Sequence, residues 1–414
     1  MKRKEFTLLV ILAVVFLILP SFLHAQKNYE YAVFPKEDIY FGHISLTQVK
    51  YDGKDPVVLR EGEKTPEIAV LNFPLTAGDT IRTPESRRCE IQFDTGTIVR
   101  LNHNTELKLE TVLAQSLSSR KKLTNLVLHK GQIYIMYKMY NKRELFQVIT
   151  PNAAVKMNHN TVAMIKAEGG DSEIQVKLGK ACILFGSDAD HLMEEKIQKM
   201  KKATVTADHR IHMAEYKPDA DFELWNEGIN LDFQALHRGK SFIPLPIKTF
   251  PEAVYYFAQK YSNLYGEWVW NSLYGYVWRP HYNDYYPWGT WQPYFYGQWR
   301  EVEGQLFWVP EESWGWVPYH LGLWIWDKKY GWIWIPGSAF APAWVAWDFL
   351  TGYYTWRPWS LMDWYYPLSY YDYYNMGYYG WRQAEDAPPG VRKQKPILHS
   401  IRKDQLKRKT PSRY

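Results

Sequence analysis

The chain has 414 residues, 46% of them hydrophobic, and a formal net charge of +6. This length predicts two or three domains, and two cysteines are too few for a disulfide framework. Cys89 and Cys182 either form a single bridge or are separate small core residues. The positive charge lies at the ends, because residues 391–414 carry a net +8 and the first five residues +2, which leaves −4 for the rest. The body of the protein is therefore not expected to present a basic surface to nucleic acid.

The first 25 residues predict a secretory signal peptide. A basic start, Lys2-Arg3-Lys4, precedes an apolar run over residues 7–19 and then Ala25, followed by polar Gln26. The apolar run is shorter than the roughly 20 residues that span a bilayer, so we expect cleavage after Ala25, with a permanent anchor as the alternative. The mature protein is then periplasmic or extracellular, and nucleic acid is not an expected partner.

Residues 40–186 predict an all-β domain. Residues 89–93 alternate apolar with polar side chains, and a turn at Gly96 leads into a second such strand, which is the pattern of a hairpin. Similar strand pairs flank Gly131 and Gly179, where glycine supplies the positive φ of a tight turn.

An internal repeat lies within this domain. The motif Asn-His-Asn-Thr occurs at 102–105 and again at 158–161, each time after a strand. Such repetition indicates a coiled stack of short strands. Two histidines, His103 and His159, are too few ligands for a metal site, whereas Asn readily adopts left-handed turn conformations, so we expect turns and no metal.

These residues resemble a known family. Residues 75–83, the strand 89–93 and residues 105–107 resemble the core of FecR-type domains, and the strands around Gly131 and Gly179 continue that pattern. The resemblance implies an all-β, solenoid-like envelope domain. Its best-known members are single-span anti-sigma regulators that sense an outer-membrane transporter. Only six residues precede the apolar run here, too few for the cytoplasmic domain of such a regulator, so we expect the fold without the anti-sigma role.

Residues 187–244 predict a helical connector. Lys and Glu are frequent over residues 188–203, which indicates a surface helix. Apolar residues spaced three or four apart over 222–236, with Asp219 or Asp221 as the cap, predict an amphipathic helix.

Residues 245–360 predict a Trp- and Tyr-rich repeat module. A capping box of Thr249 and Glu252 predicts a short helix near its start. Each repeat begins with Gly-x-Trp and ends about ten residues later with Trp-x-Pro, which indicates one β-hairpin per unit. The three units run from Gly266 to Pro280, from Gly297 to Pro310 and from Gly322 to Pro336.

This module is similar to a Trp- and Tyr-rich domain of unknown function that follows FecR-like domains in exported bacterial proteins, above all over residues 314–320. Its aromatic rings either pack together, each burying on the order of 150–250 Å², or leave indole faces exposed for sugar rings. The candidate ligand-binding residues are Trp299, Trp314, Trp316, Tyr319, His320 and Trp324.

The fold class is therefore mainly β, with an all-β solenoid-like domain, short helices, a hairpin-repeat module and, over residues 361–414, a Tyr-rich and then basic disordered tail. No motif of a hydrolase, P-loop or dinucleotide site occurs, so neither an enzyme nor a cofactor is expected. We expect a non-catalytic envelope protein whose aromatic module binds an envelope polysaccharide, peptidoglycan or an envelope protein. The alternatives are a signalling accessory that docks on a membrane partner and a glycan-active hydrolase.

Overall fold

A computed structural model describes nine stretches of the chain: residues 42–115, 122–138, 144–187, 192–238, 242–281, 291–302, 304–350, 353–359 and 399–402. The predicted signal peptide and most of the predicted tail lie outside these stretches. The fold is mainly β, as predicted.

The described residues of the N-terminal domain form seventeen strands. They are β1 (Gly42–Thr47), β2 (Val57–Leu59), β3 (Glu67–Ile68), β4 (Pro74–Leu75), β5 (Thr80–Arg82), β6 (Cys89–Phe93), β7 (Ile98–Leu101), β8 (Glu106–Gln115), β9 (Lys122–Tyr137), β10 (Glu144–Ile149), β11 (Ala153–Met157), β12 (Thr161–Glu168), β13 (Asp171–Leu178), β14 (Lys180–Phe185), β15 (Met193–Gln198), β16 (Lys201–Val205) and β17 (Ile211–Glu215).

The strands form two sheets that share the long strand β9. The first sheet contains β1, β4, β6, β7, β12, β13, β16 and β17. The second contains β2, β3, β5, β8, β10, β11, β14 and β15. Apolar side chains of both sheets, such as Ile91, Leu107 and Ile183, meet in one buried core.

Two of the predicted hairpin turns are corners between the sheets. The turn at Gly96 does join the paired strands β6 and β7. Gly131, however, lies inside β9, which pairs with β8 before this residue and with β7 and β12 after it. Its φ is 91°, and an added Cβ would lie 2.5 Å from the Thr105 Cα, so glycine lets the strand bend from one sheet into the other. Gly179 likewise connects β13 of the first sheet to β14 of the second.

The predicted connector helix over residues 188–203 is wrong. The chain forms β15 and β16 there, and the domain continues as strands through β17. β15 pairs with β14, and β16 pairs with β13. The backbone of existing sheet edges thus overrides the helical preference of Lys and Glu, and Ile197 and Ala203 reach the core.

The helical part of the connector begins at Ala220. Helix α1 (Ala220–Arg238) confirms the amphipathic helix, and the Asp219 Oδ1 caps it by accepting from the Phe222 N–H at 2.9 Å. A 3-10 helix (Leu245–Thr249) precedes α2 (Glu252–Lys260) and α3 (Ser262–Tyr265). The predicted capping box is wrong, because Pro251 is the N-cap of α2 and the Thr249 hydroxyl donates to the Pro246 carbonyl.

The aromatic module, residues 245–359, confirms the predicted hairpins. They are β18 (Gly266–Asn271) with β19 (Gly275–Pro280), β20 (Gly297–Val302) with β21 (Gln305–Pro310), and β22 (Leu321–Asp327) with β23 (Gly331–Phe340). Helix α4 (Trp316–His320) precedes the third hairpin. In each hairpin the first glycine pairs with the closing proline and the tryptophans pair with each other, as Trp299 does with Trp308.

A fourth hairpin was not predicted. Strands β24 (Val345–Leu350) and β25 (Tyr353–Pro358) pair Trp347 with Trp356 and Val345 with Pro358, in the same register. Valine stands where the other units have glycine, so the pattern was missed. β26 (His399–Arg402) then pairs with β25, which corrects the prediction of a wholly disordered tail, since the free edge of β25 accepts another strand.

The module is held together by its rings. Eleven tryptophans are buried among the described residues: Trp268, Trp278, Trp291, Trp308, Trp314, Trp316, Trp324, Trp332, Trp334, Trp344 and Trp356. Many ring pairs meet edge to face or tilted, as Trp278 and Trp314 do with centroids 4.9 Å apart. Packing is therefore the main role of these residues. Within the described stretches no helix is long and apolar enough to cross a membrane.

Candidate functional site

The outer face of the first sheet carries ionisable side chains that are fully buried. Glu90 of β6 lies directly opposite Arg100 of β7, at positions that alternate with the core residues. The alternation predicts that both face solvent, yet their side chains are almost inaccessible. The reason is that α1, α2 and the aromatic module cover this face of the sheet.

Glu90 is the centre of a buried charge cluster. Its Oε2 accepts from the Arg100 Nε at 2.6 Å, and its Oε1 accepts from the Ser45 hydroxyl at 2.8 Å and lies 3.7 Å from the Lys260 Nζ. Arg100 also donates to the carbonyl of Asn226 in α1 at 3.1 Å. Burial raises the pKa of the Glu90 carboxyl, but Lys260 and Arg100 outweigh burial and lower it to about 2.

Lys260 links this cluster to the helices. It is the last residue of α2, and its Nζ lies 5.4 Å from the Tyr256 ring centroid and 5.0 Å from that of Tyr261. Burial lowers the pKa of the Lys260 ammonium, whereas Tyr261 and Glu90 raise it, and the pKa ends well above its ordinary value. The lysine is therefore charged, and it compensates Glu90 from the opposite side of the interface.

The aromatic module contacts the same face farther along. The Asn72 side-chain amide donates to the carbonyls of Pro310 at 3.0 Å and Glu312 at 2.8 Å. The Trp316 indole donates to the Asp94 carboxylate at 3.0 Å. These contacts join a loop and a turn of the N-terminal domain to α4 and to the segment that precedes it.

Two buried histidines flank Trp316. The ring of His43 in β1 stacks on Trp316 at 4.4 Å, and His320 of α4 lies 4.4 Å from it on the module's side. Burial lowers the pKa of His43 well below its ordinary value and that of His320 to about 4, so both imidazoles are neutral near pH 7. The His320 Nδ1–H donates to the Ala341 carbonyl at 2.9 Å. Both rings therefore act as packing groups at the interface.

A groove opens beside the charge cluster, where the first sheet, α1 and α2 meet. Its volume is about 740 Å³, which is within the range of small-molecule sites. The walls are mainly apolar, and the polar groups are few. Representative lining residues are Ile98, Tyr134 and Met136 from the sheet, Ile229 from α1, and Tyr256 and Lys260 from α2.

The cations that line the groove are each compensated by a carboxylate. Arg100, Lys138 and Lys260 line it, together with Asp232. Glu90 compensates the first and last of these cations, and Lys138 forms an ion pair with Glu252. The groove therefore suits a mainly apolar ligand.

The predicted ligand-binding residues lie elsewhere. Trp314, Trp316, Tyr319, His320 and Trp324 are buried in the aromatic module, so none of them presents an exposed ring face. Trp299 is half-buried and packs edge-on against Trp308 and Trp356, with centroids 5.2 and 5.5 Å away. The structure brings these residues together as a core and not as an open binding surface.

The aromatic core encloses the carboxyl group of Glu312. The Glu312 Oε1 accepts from the Trp291 indole at 3.1 Å and from the Tyr319 hydroxyl at 3.0 Å. Its Oε2 is buried without a hydrogen-bond partner among the described residues. Burial raises the pKa of this carboxyl to about 7, against the smaller opposing effect of those two donors.

Glu312 should make stability fall as pH rises. Its folded pKa of about 7 exceeds the roughly 4.3 of an unfolded Glu, so its contribution is complete below about pH 4.3 and is lost as pH rises to about 7. The difference is on the order of 3 kcal/mol of unfolding free energy. Urea unfolding of Glu312→Gln should show that this slope between pH 4.5 and 7 is gone. An unchanged slope in Glu312→Gln would assign the titration to another group.

The two cysteines are not paired, and no metal site is found in these stretches. Cys89 and Cys182 are both free, and burial raises the pKa of the Cys89 thiol to about 12, so it is not a nucleophile. Within the same residues no group of His, Cys, Asp and Glu side chains could hold a metal ion. His103 and His159 sit in turns beside Asn104 and Asn160, whose φ values of 53° and 57° are left-handed, as predicted.

Sequence reasoning missed the charge cluster and the groove. The signal for half of the cluster was present, since Glu90 and Arg100 are polar residues on adjacent strands of a predicted hairpin. Lys260 and Tyr256 gave no such signal, because they reach the sheet from a helix more than 150 residues later.

Comparisons with known proteins match two parts of the chain. Residues 79–182 match the model of the FecR protein family, and residues 259–363 match a family of unknown function, DUF6600. Two crystal structures of a candidate anti-sigma factor from Parabacteroides distasonis ATCC 8503, at 1.65 and 2.50 Å resolution, each align over 38% of this chain and 73% of their own, with 19% identity and a TM-score of 0.28. No curated protein matches. The chain therefore carries a FecR domain followed by a DUF6600 domain.

Proposed function

We propose that this chain is a non-catalytic signalling accessory of the cell envelope that binds an apolar ligand between its two domains. The observation that carries the proposal is the groove of about 740 Å³, whose walls come from the first sheet of the FecR domain, α1 and α2 together. A ligand in it contacts the FecR domain and the helices that lead into the DUF6600 domain. Binding would therefore change how firmly the two domains hold each other.

The match to the FecR family supports a role in envelope signalling. The charge cluster supports a binding role over a catalytic one. Glu90 stays ionised down to about pH 2 and is occupied by Ser45, Arg100 and Lys260, so it is not poised to exchange a proton near neutral pH. Glu312 has a pKa near 7 but is enclosed in the aromatic core.

The ligand site is then the groove and not the aromatic repeats. Recognition of polysaccharide or peptidoglycan by stacked indoles needs exposed ring faces, and five of the six candidate residues have none. Export to the envelope is also proposed, on the basis of the predicted signal peptide, which lies outside the described residues.

Filling the groove should abolish binding of an apolar probe. We expect N-phenyl-1-naphthylamine to bind the full-length protein with a rise in fluorescence, and Leu178→Trp to weaken that binding at least tenfold, because Leu178 lines the groove and a larger ring occupies it. Titration of the probe measures the dissociation constant. Hydrogen exchange should show slower exchange in α1 when the probe is bound.

Leu192→Trp is the matched control. Leu192 is 55% exposed and Leu178 is 53% exposed, but Leu192 does not line the groove. Equal probe binding by the two variants, or no change in exchange of α1, would show that the groove is not the site.

A further inference from the structure

A second surface lies at the far end of the first and third hairpins of the DUF6600 domain. Leu273, in the β18–β19 turn, is 76% exposed, and Trp270 beside it is 61% exposed, whereas most described tryptophans of the module are buried. Trp270 contacts Tyr276 at 5.0 Å, and Tyr276 contacts the exposed Phe242 at 5.5 Å. We call Phe242, Trp270, Leu273 and Tyr276 the tip patch.

The tip patch is held rigid by its neighbouring turn. The Asn271 amide donates to the Asp327 carboxylate at 3.0 Å, which ties the β18–β19 turn to the β22–β23 turn. The Asn271 Oδ1 in turn accepts from the Leu273 N–H at 2.9 Å, and the Asp327 Oδ1 accepts from the Lys329 N–H at 2.8 Å. Both turns are therefore fixed by side-chain caps before any partner arrives.

Two lysines stand next to this apolar surface. Lys328 and Lys329 are exposed in the β22–β23 turn. Neither forms a salt bridge within the described residues, and the Lys329 Nζ donates to the Tyr330 hydroxyl at 2.8 Å. The Asp327 carboxylate accepts hydrogen bonds within the turns. Its single negative charge leaves one of the two lysine charges in excess. The surface thus combines exposed aromatic and aliphatic side chains with a local excess of positive charge.

We propose that the tip patch docks this protein on a lipid bilayer that contains anionic headgroups. Indole and phenol rings favour the boundary between headgroups and acyl chains, and Leu273 is the side chain placed to enter it. Lys328 and Lys329 face the anionic headgroups and make the interaction sensitive to salt. This surface is separate from the groove, so docking on a bilayer does not depend on whether the groove binds a ligand.

Vesicle sedimentation with the full-length protein tests the proposal. Vesicles of phosphatidylcholine with an equal share of phosphatidylglycerol should bind the protein at 150 mM salt, and Leu273→Glu should raise the apparent dissociation constant about tenfold. The double variant Lys328→Glu, Lys329→Glu should also weaken binding and reduce its dependence on salt. Vesicles of phosphatidylcholine alone should bind the protein more weakly.

Leu224→Glu is the matched control. Leu224 of α1 is 71% exposed and lies outside the tip patch. Both variants keep the basic segment 391–414, so any attraction of that segment to anionic vesicles is the same in both. Equal binding by Leu224→Glu and Leu273→Glu would overturn the proposal. So would sedimentation with peptidoglycan that depends on Trp270 in place of binding to vesicles, or a protein dimer that Leu273→Glu dissociates.

Discussion

Trp334→Ala should lower the free energy of unfolding by about 3–5 kcal/mol, the usual cost of truncating a buried tryptophan. Trp334 is fully buried, pairs with Trp324 in its own hairpin and with Trp278 in the first, and contacts Phe257 of α2 at 5.2 Å. The cavity therefore opens where two hairpins and a helix meet. Urea unfolding followed by circular dichroism measures the loss.

Trp270→Ala is the control, because the same change at a side chain that is 61% exposed leaves no cavity. It should alter the unfolding free energy by only about 0.5 kcal/mol. Similar costs for the two variants would contradict the conclusion that the repeat tryptophans form the core. A loss below 1 kcal/mol for Trp334→Ala would do the same.

The hairpins could be predicted because their signal is local. Glycine opens each of the three predicted units and proline closes it, and the structure pairs these residues directly, as Gly266 with Pro280. A Cβ on Gly266 would lie 2.4 Å from the Arg279 carbonyl oxygen, so the close approach of the two strands requires glycine. The fourth hairpin was not predicted because Val345 takes the place of the opening glycine.

The strands β15 and β16 could not be predicted in this way. Their sequence favours a helix locally, and only the edges of β13 and β14, present once the sheets form, make strands the better choice. The burial of Glu90 likewise depends on residues that are distant in the sequence. The alternation in β6 correctly separates Glu90 from Cys89 and Ile91, but no local pattern shows that α2 will cover the polar side.

Glu90→Ala should lower the free energy of unfolding by about 3–5 kcal/mol, because it leaves Arg100 and Lys260 buried without their counter-charge. Urea unfolding at pH 7 measures this cost. Glu215→Ala, which removes one partner of the exposed Lys201–Glu215 pair, should cost less than about 1 kcal/mol. A loss of similar size in both variants would show that the cluster is not a buried, desolvated network.

The same cluster sets a pH dependence of the opposite sign to that of Glu312. The folded pKa of Glu90, about 2, lies below the roughly 4.3 of an unfolded Glu, so its stabilisation is complete above about pH 4.3 and is lost as pH falls toward 2. Replacing the whole cluster, as Glu90→Leu with Arg100→Met and Lys260→Met, should recover most of the stability that Glu90→Ala loses and remove this acid sensitivity. Recovery would show that the charges contribute through mutual compensation. If stability is not recovered, the cluster contributes mainly through its hydrogen bonds, from Ser45 to Glu90 within the first sheet and from Arg100 to Asn226 of α1.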